Sequence, residues 1–171
     1  MESNHPLDLG KQKVFYKKNY NSKTEKFNED LIQKIYFDGL SDEKTGYYEY
    51  VPIKKNKKTI MKLIVVGKVK LYTRTKKIFS STYNGFSNNP NMPNMPNRVV
   101  TTDTESEFFV IRDNEDYATG LIKSNALSKS FIYAAKKYFS DCANIIKYLN
   151  NDLYYEQNII ELIDDYNLLC E

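Results

Sequence analysis

A chain of 171 residues with 25 Lys plus Arg against 22 Asp plus Glu, one His and two Cys is long enough to bury one core without metals or a dense disulfide net, so a single domain over 1–171 is expected. No run approaches the roughly 20 apolar residues of a bilayer-spanning helix; the densest, 63–66, sits among lysines, and the chain is not expected to span a membrane. The only histidine, His5, falls in a polar leader, which disfavours Ser–His and Cys–His nucleophiles, histidine bases and histidine zinc sites.

Charge is unevenly spread. Residues 1–80 hold 18 Lys plus Arg against 9 Asp plus Glu, net +9, and residues 81–171 hold 7 against 13, net −6. Such polarity steers an anionic partner to one end or lets the two halves attract each other within one fold.

In chain order, residues 1–10 read as a flexible leader: polar, with Pro6 and no periodicity. They lack the basic-then-apolar pattern of a secretory signal, so an export signal has been removed or never existed. Residues 13–17 read as a strand, turned by Asn19, Tyr20, Asn21 and Ser22. For 27–35, a short helical turn capped by Asn28 competes with a strand over 32–37. Residues 46–53 predict a strand and 54–58 a charged hairpin tip. Residues 59–73 are the strongest β signal, with Gly67 marking a bulge or a turn between two strands. In 68–73 the alternation places Val69 and Leu71 inward and the lysines outward, the pattern of a sheet wet on one face.

Residues 79–104 change to Ser, Asn, Thr and Pro around the repeat Asn91-Met92-Pro93-Asn94-Met95-Pro96-Asn97, which predicts a long exposed loop. Residues 107–112 and 117–123 predict a hairpin around Asp113, Asn114, Glu115 and Asp116. From 125 to 170 the pattern turns helical, with a cap at Ser124 or Asn125 and apolar residues Leu127, Phe131, Ala134, Ala135 and Tyr138. Helices over 142–149 and 155–169 complete the chain. Strands first and helices last predict an α+β fold, an antiparallel sheet in the N-terminal two-thirds packed against two or three C-terminal helices.

No GxxxxGK[ST] or GxGxxG cradle is present, and no cofactor is implied. Cys142 and Cys170 bracket the last two helices, and an antiparallel helical pair would bring them together as a disulfide or leave two buried thiols. The acids of 113–116 lack the glycine and distant glutamate of a calcium loop and read as a solvated turn. Asp164 and Asp165 are adjacent and so face different ways. Lysines at 54, 55, 57, 58, 68 and 70, interleaved with Tyr50 and Tyr72, are a candidate anion-binding surface of the kind used on single-stranded nucleic acid. Lysine on a wet sheet face is also ordinary protection against aggregation, and scarce arginine argues against nucleic acid.

The run Val65-Val66-Gly67-Lys68-Val69-Lys70-Leu71-Tyr72, then Phe108-Phe109-Val110, Phe139-Ser140-Asp141-Cys142 and Ile163-Asp164-Asp165-Tyr166-Asn167 resembles a group of uncharacterised proteins common in Bacteroidota. In these a G-K-x-x-L-Y strand, a Y-F/Y-V/L hairpin, an F-x-D-C helix junction and a terminal Y-N recur in the same order. The similarity spans Phe15 to Asn167; Ala143 stands where the group tends to have proline, and the Asn-Met-Pro repeat is this chain's own. The resemblance implies export to the periplasm or cell surface, where a disulfide is chemically permitted, although the chain shows no signal pattern and the cytoplasm stays open. It carries over no catalytic residues. The resulting expectation is a non-enzymatic envelope or surface protein that binds or scaffolds another protein or polymer. The alternative is a binder of an anionic polymer, nucleic acid or acidic glycan, through the Lys/Tyr-rich half; an enzyme working with two carboxylates across a cleft comes third.

Overall fold

The computed structural model describes residues 7–8, 13–16, 21–27, 31–32, 34–35, 47–86, 96–123 and 128–170. The fold is α+β. Strands β1 (Leu7–Asp8), β2 (Lys13–Tyr16) and β3 (Glu25–Phe27) form a small antiparallel sheet. A second, antiparallel sheet runs in the order β4 (Lys34–Ile35), β5 (Tyr48–Lys54), β6 (Lys57–Val65), β7 (Val69–Phe86), β8 (Pro96–Arg112) and β9 (Thr119–Ile122). Helices α1 (Ser128–Tyr138), α2 (Ala143–Asn150) and α3 (Ile159–Leu169) follow. Among the described residues no helix is long and apolar enough to cross a membrane.

The helices cover one face of the large sheet, α3 against β6 and β7 and α1 against β9. Strand alternation turns Val69, Leu71, Val110 and Leu121 into this layer, where they meet Phe131, Ala135, Phe139, Ile145, Leu149, Leu162 and Ile163, all buried. The apolar residues of the helices repeat at three and four, which aligns them on one stripe.

The opposite face is not simply wet. Tyr72, in register with Leu63 and Phe109, joins Val51, Met61 and Ala118 in a second buried cluster. The Ala118 N–H, on the approach to β9, donates to the Pro52 carbonyl of β5 at 2.8 Å. The sheet is therefore curled until its two flanks touch, and the second cluster fills the inside of the curl. Lys70 and Tyr72 share this inner face, because residues two apart in a strand point the same way.

The expected loop over 79–104 is corrected. Residues 79–86 belong to β7 and 96–104 to β8, paired from Val69↔Arg112 to Phe86↔Pro96; residues 87–95, with most of the Asn-Met-Pro repeat, lie outside the described residues. The polar appearance concealed a ladder in which Phe79 stands opposite Thr102, Ser80 opposite Thr101, Ser81 opposite Val100 and Thr82 opposite Val99. Threonine is β-branched and suits a pleated surface as well as valine does in shape. Pro96 opens its strand, where a missing N–H is tolerated. Beyond Thr73 on β7 and Phe108 on β8, no further strand pairs with this hairpin among the described residues. It runs on as a two-stranded arm of roughly 40 Å at about 3.3 Å per residue.

The leader is corrected in part: Leu7–Asp8 pairs with β2, Leu7 opposite Val14, while His5 lies outside the described residues. Of the two readings for 27–35, the strand is seen, Lys34–Ile35 pairing with β5; Asn28 lies outside the described residues, as do Ser124 and Asn125.

Phe139 is fully buried between the rings of Tyr138 and Tyr166, at centroid distances of 4.9 and 4.8 Å. Phe139→Ala is expected to lower unfolding free energy by about 3–5 kcal/mol, read as a fall in the urea midpoint with an unchanged denaturant slope.

Candidate functional site

The structure divides the six lysines proposed as an anion-binding surface. Lys54, Lys55, Lys57 and Lys58 are exposed at the tip joining β5 to β6. Lys68 lies past the other end of β6, and a nine-residue strand puts roughly 25–30 Å between the groups. The second group is engaged internally: Lys68 Nζ donates to the Cys170 carbonyl, and Lys70 Nζ to Asp113 Oδ1 at 2.6 Å. The tip lysines alone remain a charged surface.

The motif residues converge on one place. Cys142, just before α2, and Cys170, just after α3, are joined as a disulfide with Cα atoms 5.7 Å apart, both residues buried. Asn167 reaches from α3 to Val69, accepting from its N–H at 2.8 Å and donating to its carbonyl at 3.0 Å. This is where the β6–β7 pairing has ended, at Val65↔Leu71. The side-chain amide thus serves as one residue of a missing strand. Gly67 is required beside it, since a Cβ there would overlap the Asn167 amide.

Arg112, the last residue of β8, occupies the centre. Its Nη2 faces Asp141 Oδ1 and Oδ2 at 2.9 and 3.1 Å, the Tyr138 carbonyl at 3.1 Å and the Tyr166 hydroxyl at 3.1 Å. Nη1 reaches Glu115 Oε1 at 3.3 Å, and the backbone N–H of Arg112 donates to Glu115 Oε2 at 3.0 Å. The guanidinium carbon lies 4.4 Å from the centroid of the Tyr138 ring and 5.4 Å from that of Tyr166. Tyr138 donates to Glu115 Oε2 at 2.7 Å and Tyr166 to Asp141 Oδ2 at 2.6 Å. Among the described residues, Arg112 Nε is the one buried side-chain polar atom without a partner.

Electrostatics agree with this geometry. Burial acts to lower the Arg112 pKa, but the Tyr166 hydroxyl and the neighbouring Tyr138, Tyr166 and Asp141 outweigh it, and the guanidinium is held more firmly protonated than usual. Tyr72, Tyr138, Tyr154 and Tyr166 are all pushed up, first by burial and then by hydrogen bonds to Glu49, Glu115, Asp165 and Asp141 respectively. A phenol facing a carboxylate gives up its proton reluctantly, because the product would be two adjacent anions. These groups are poor proton donors near neutrality.

The acidic turn is therefore not merely solvated: Asp113 binds Lys70 and Glu115 binds Arg112 and Tyr138, while Asp116 is exposed. Asp164 and Asp165 separate as expected, Asp164 exposed and Asp165 accepting from Tyr154. On the inner face, Glu107 is buried and receives Arg74 at 2.6 Å. No three His, Cys, Asp or Glu among the described residues are placed to hold a metal ion. Sequence reasoning missed Arg112 and Glu107. The available signal was arginine usage, because the chain has only three, at 74, 98 and 112, and a planar fork is the cation suited to partly buried carboxylates.

No family model, curated protein or solved structure matches the chain.

Gly67→Ala is expected to displace Asn167 and cost about 1–3 kcal/mol by leaving the Val69 amide unpaired. In an Asn167→Ala background the same change is expected to cost much less, a non-additivity that a double-mutant cycle in urea reads directly. The raised tyrosines predict an alkaline limit. Above the ordinary phenol value of 10.0 the unfolded chain loses tyrosine protons that the folded chain keeps, so stability falls as pH rises; below that value the contribution is fully present. The phenolate absorbance of these four residues is expected to appear only together with unfolding, above about pH 10.

Proposed function

We propose that this protein is an exported, non-catalytic domain of the periplasm or cell surface, with a binding or scaffolding role. The observation that carries this reading is the Cys142–Cys170 disulfide, which ties the start of α2 to the end of α3. Disulfides persist in oxidising compartments and are rare in the cytosol. The resemblance in motif order to exported Bacteroidota proteins supports the same compartment. Its motif residues meet here in packing and hydrogen bonds: Gly67 against Asn167, Tyr166 with Asp141, Cys142 with Cys170.

A structural role for these groups is supported by how they are spent. Arg112, Asp141, Glu115, Tyr138 and Tyr166 are paired with one another, with Arg112 Nε left over, and the tyrosines are shifted away from the range useful for proton transfer near neutrality. The two-stranded arm of β7 and β8 supports a role in contact with something else, since a strand edge offers backbone donors and acceptors to a partner.

Thiol trapping before lysis tests the proposal. In the source cell the protein is expected in the envelope fraction with Cys142 and Cys170 protected from alkylation until a reductant is added. Recovery from the cytosol with both thiols alkylated would overturn it. With a sequence separation of 28 between the cysteines, reduction is expected to cost about 3–4 kcal/mol by the loop-entropy relation, seen as a lower thermal midpoint for the reduced protein.

A further inference from the structure

The β5–β6 hairpin ends in Lys54, Lys55, Asn56, Lys57 and Lys58, all exposed, with Lys55 and Asn56 forming the turn. Asn56 takes the left-handed conformation at φ 62, which asparagine tolerates better than most residues. Lys54 stands directly opposite Lys57, and Lys58 opposite Pro52. None of the four lysines has an ion-pair or hydrogen-bond partner among the described residues. Their situation differs from that of Lys68, Lys70 and Lys76, which bind the Cys170 carbonyl, Asp113 and Glu107.

This arrangement brings the hairpin's own pairing no evident gain. Like charges directly opposite each other weaken a strand pair, and a two-residue hairpin turn is made as well by uncharged residues. Protection against edge pairing accounts for lysine on the outer edges of β5 and β6, which no strand among the described residues covers here, but not for Lys55 within the turn itself.

The shape of the tip narrows the partner. Alternation puts Lys57 on the face of Thr59 and Lys58 on the face of Ile60, with Lys55 at the apex. Neighbouring lysines of the hairpin therefore leave on opposite faces and do not form a one-sided track for a single polymer strand. The tip holds no aromatic ring for base stacking and no arginine fork for bidentate phosphate binding. A cluster of hydrated point charges on a hairpin tip meets a broad, planar field of anions best, and each lysine near such a surface gains affinity without a fixed contact.

We propose that the Lys54–Lys58 tip docks this protein peripherally on an anionic lipid bilayer through its phosphate headgroups. The proposal stands on the tip alone and does not need the disulfide or export, so either reading can fail without the other.

The test is co-sedimentation of the full chain with vesicles of phosphatidylglycerol and phosphatidylcholine, and of phosphatidylcholine alone. Binding to the anionic vesicles is expected at low ionic strength, with release as salt shortens the screening length, and none to phosphatidylcholine. Lys54→Gln, Lys55→Gln, Lys57→Gln and Lys58→Gln together are expected to weaken partitioning on the order of a hundredfold. A control carrying Lys77→Gln, Lys123→Gln, Lys137→Gln and Lys147→Gln removes the same charge from exposed positions elsewhere and is expected to lose less than about threefold. Thermal midpoints within a few degrees of the parent establish that both variants are folded. Equal losses in the two variants would overturn the proposal in favour of net charge. Absence of binding to the anionic vesicles would overturn it outright, as would tip-dependent binding to heparin with the vesicles left untouched.

Discussion

Taking a guanidinium out of water costs several kcal/mol unless carboxylates and other acceptors replace the lost hydration, and at Arg112 that requirement joins four parts of the chain. Strand β8 supplies the cation, the turn after it Glu115, the junction between α1 and α2 Asp141 and the Tyr138 carbonyl, and α3 the Tyr166 hydroxyl. Withdrawing any of these acceptors leaves charge or a phenol poorly paired, which ties the helices to their place against the end of β8. Apolar packing of Phe139, Ile145 and Ile163 supplies area without direction; the hydrogen bonds to Arg112 select the register in which that area is buried. The disulfide closes the same corner from the other side, since Cys142 follows Asp141 and Cys170 follows the helix bearing Tyr166.

The tyrosine-rich, tryptophan-free composition has a structural counterpart. Tyr72, Tyr138, Tyr154 and Tyr166 each bury a ring and give the hydroxyl to Glu49, Glu115, Asp165 and Asp141. A phenol satisfies a carboxylate with a strong, charge-assisted hydrogen bond while its ring adds to the core. Two such pairs belong to the Arg112 cluster, one sits on the inner face of the sheet and one at the start of the last helix.

Much of the fold was legible because one period dominated each segment. Leu71 and Val69 alternate with lysine, Phe131, Ala135 and Phe139 recur at helical steps, and the turn at 113–116 is dense in Asp and Asn. The arm was illegible for a physical reason: both faces of a two-stranded ribbon can meet water, so neither needs an apolar stripe, and Thr, Ser and Tyr satisfy a strand without betraying it. The second buried cluster was hidden because Lys70 alternates with apolar residues and reads as outward, although its stem lies on the inner face with Tyr72 and its ammonium escapes to Asp113. The polar centre was legible only in pieces. Arg112, Asp141 and Tyr166 are separated by tens of residues, and nothing local marks a side chain whose partners are brought by tertiary contacts.

The unequal distribution of charge along the chain takes on a meaning once the folded contacts are known. Its two halves do attract each other, through Lys70 with Asp113, Arg74 with Glu107 and Lys76 with Glu107, and this consumes cations on β7 against anions on β8 and the turn beyond. What the pairing does not reach is the β5–β6 tip, because β6 turns away from β8 in the strand order and carries Lys57 and Lys58 to the far end of the sheet. Part of the positive charge of the N-terminal half, Lys54, Lys55, Lys57 and Lys58, is therefore displayed at the tip. Internal pairing thus accounts for the cations of β7, while the tip lysines have no ion-pair partner among the described residues.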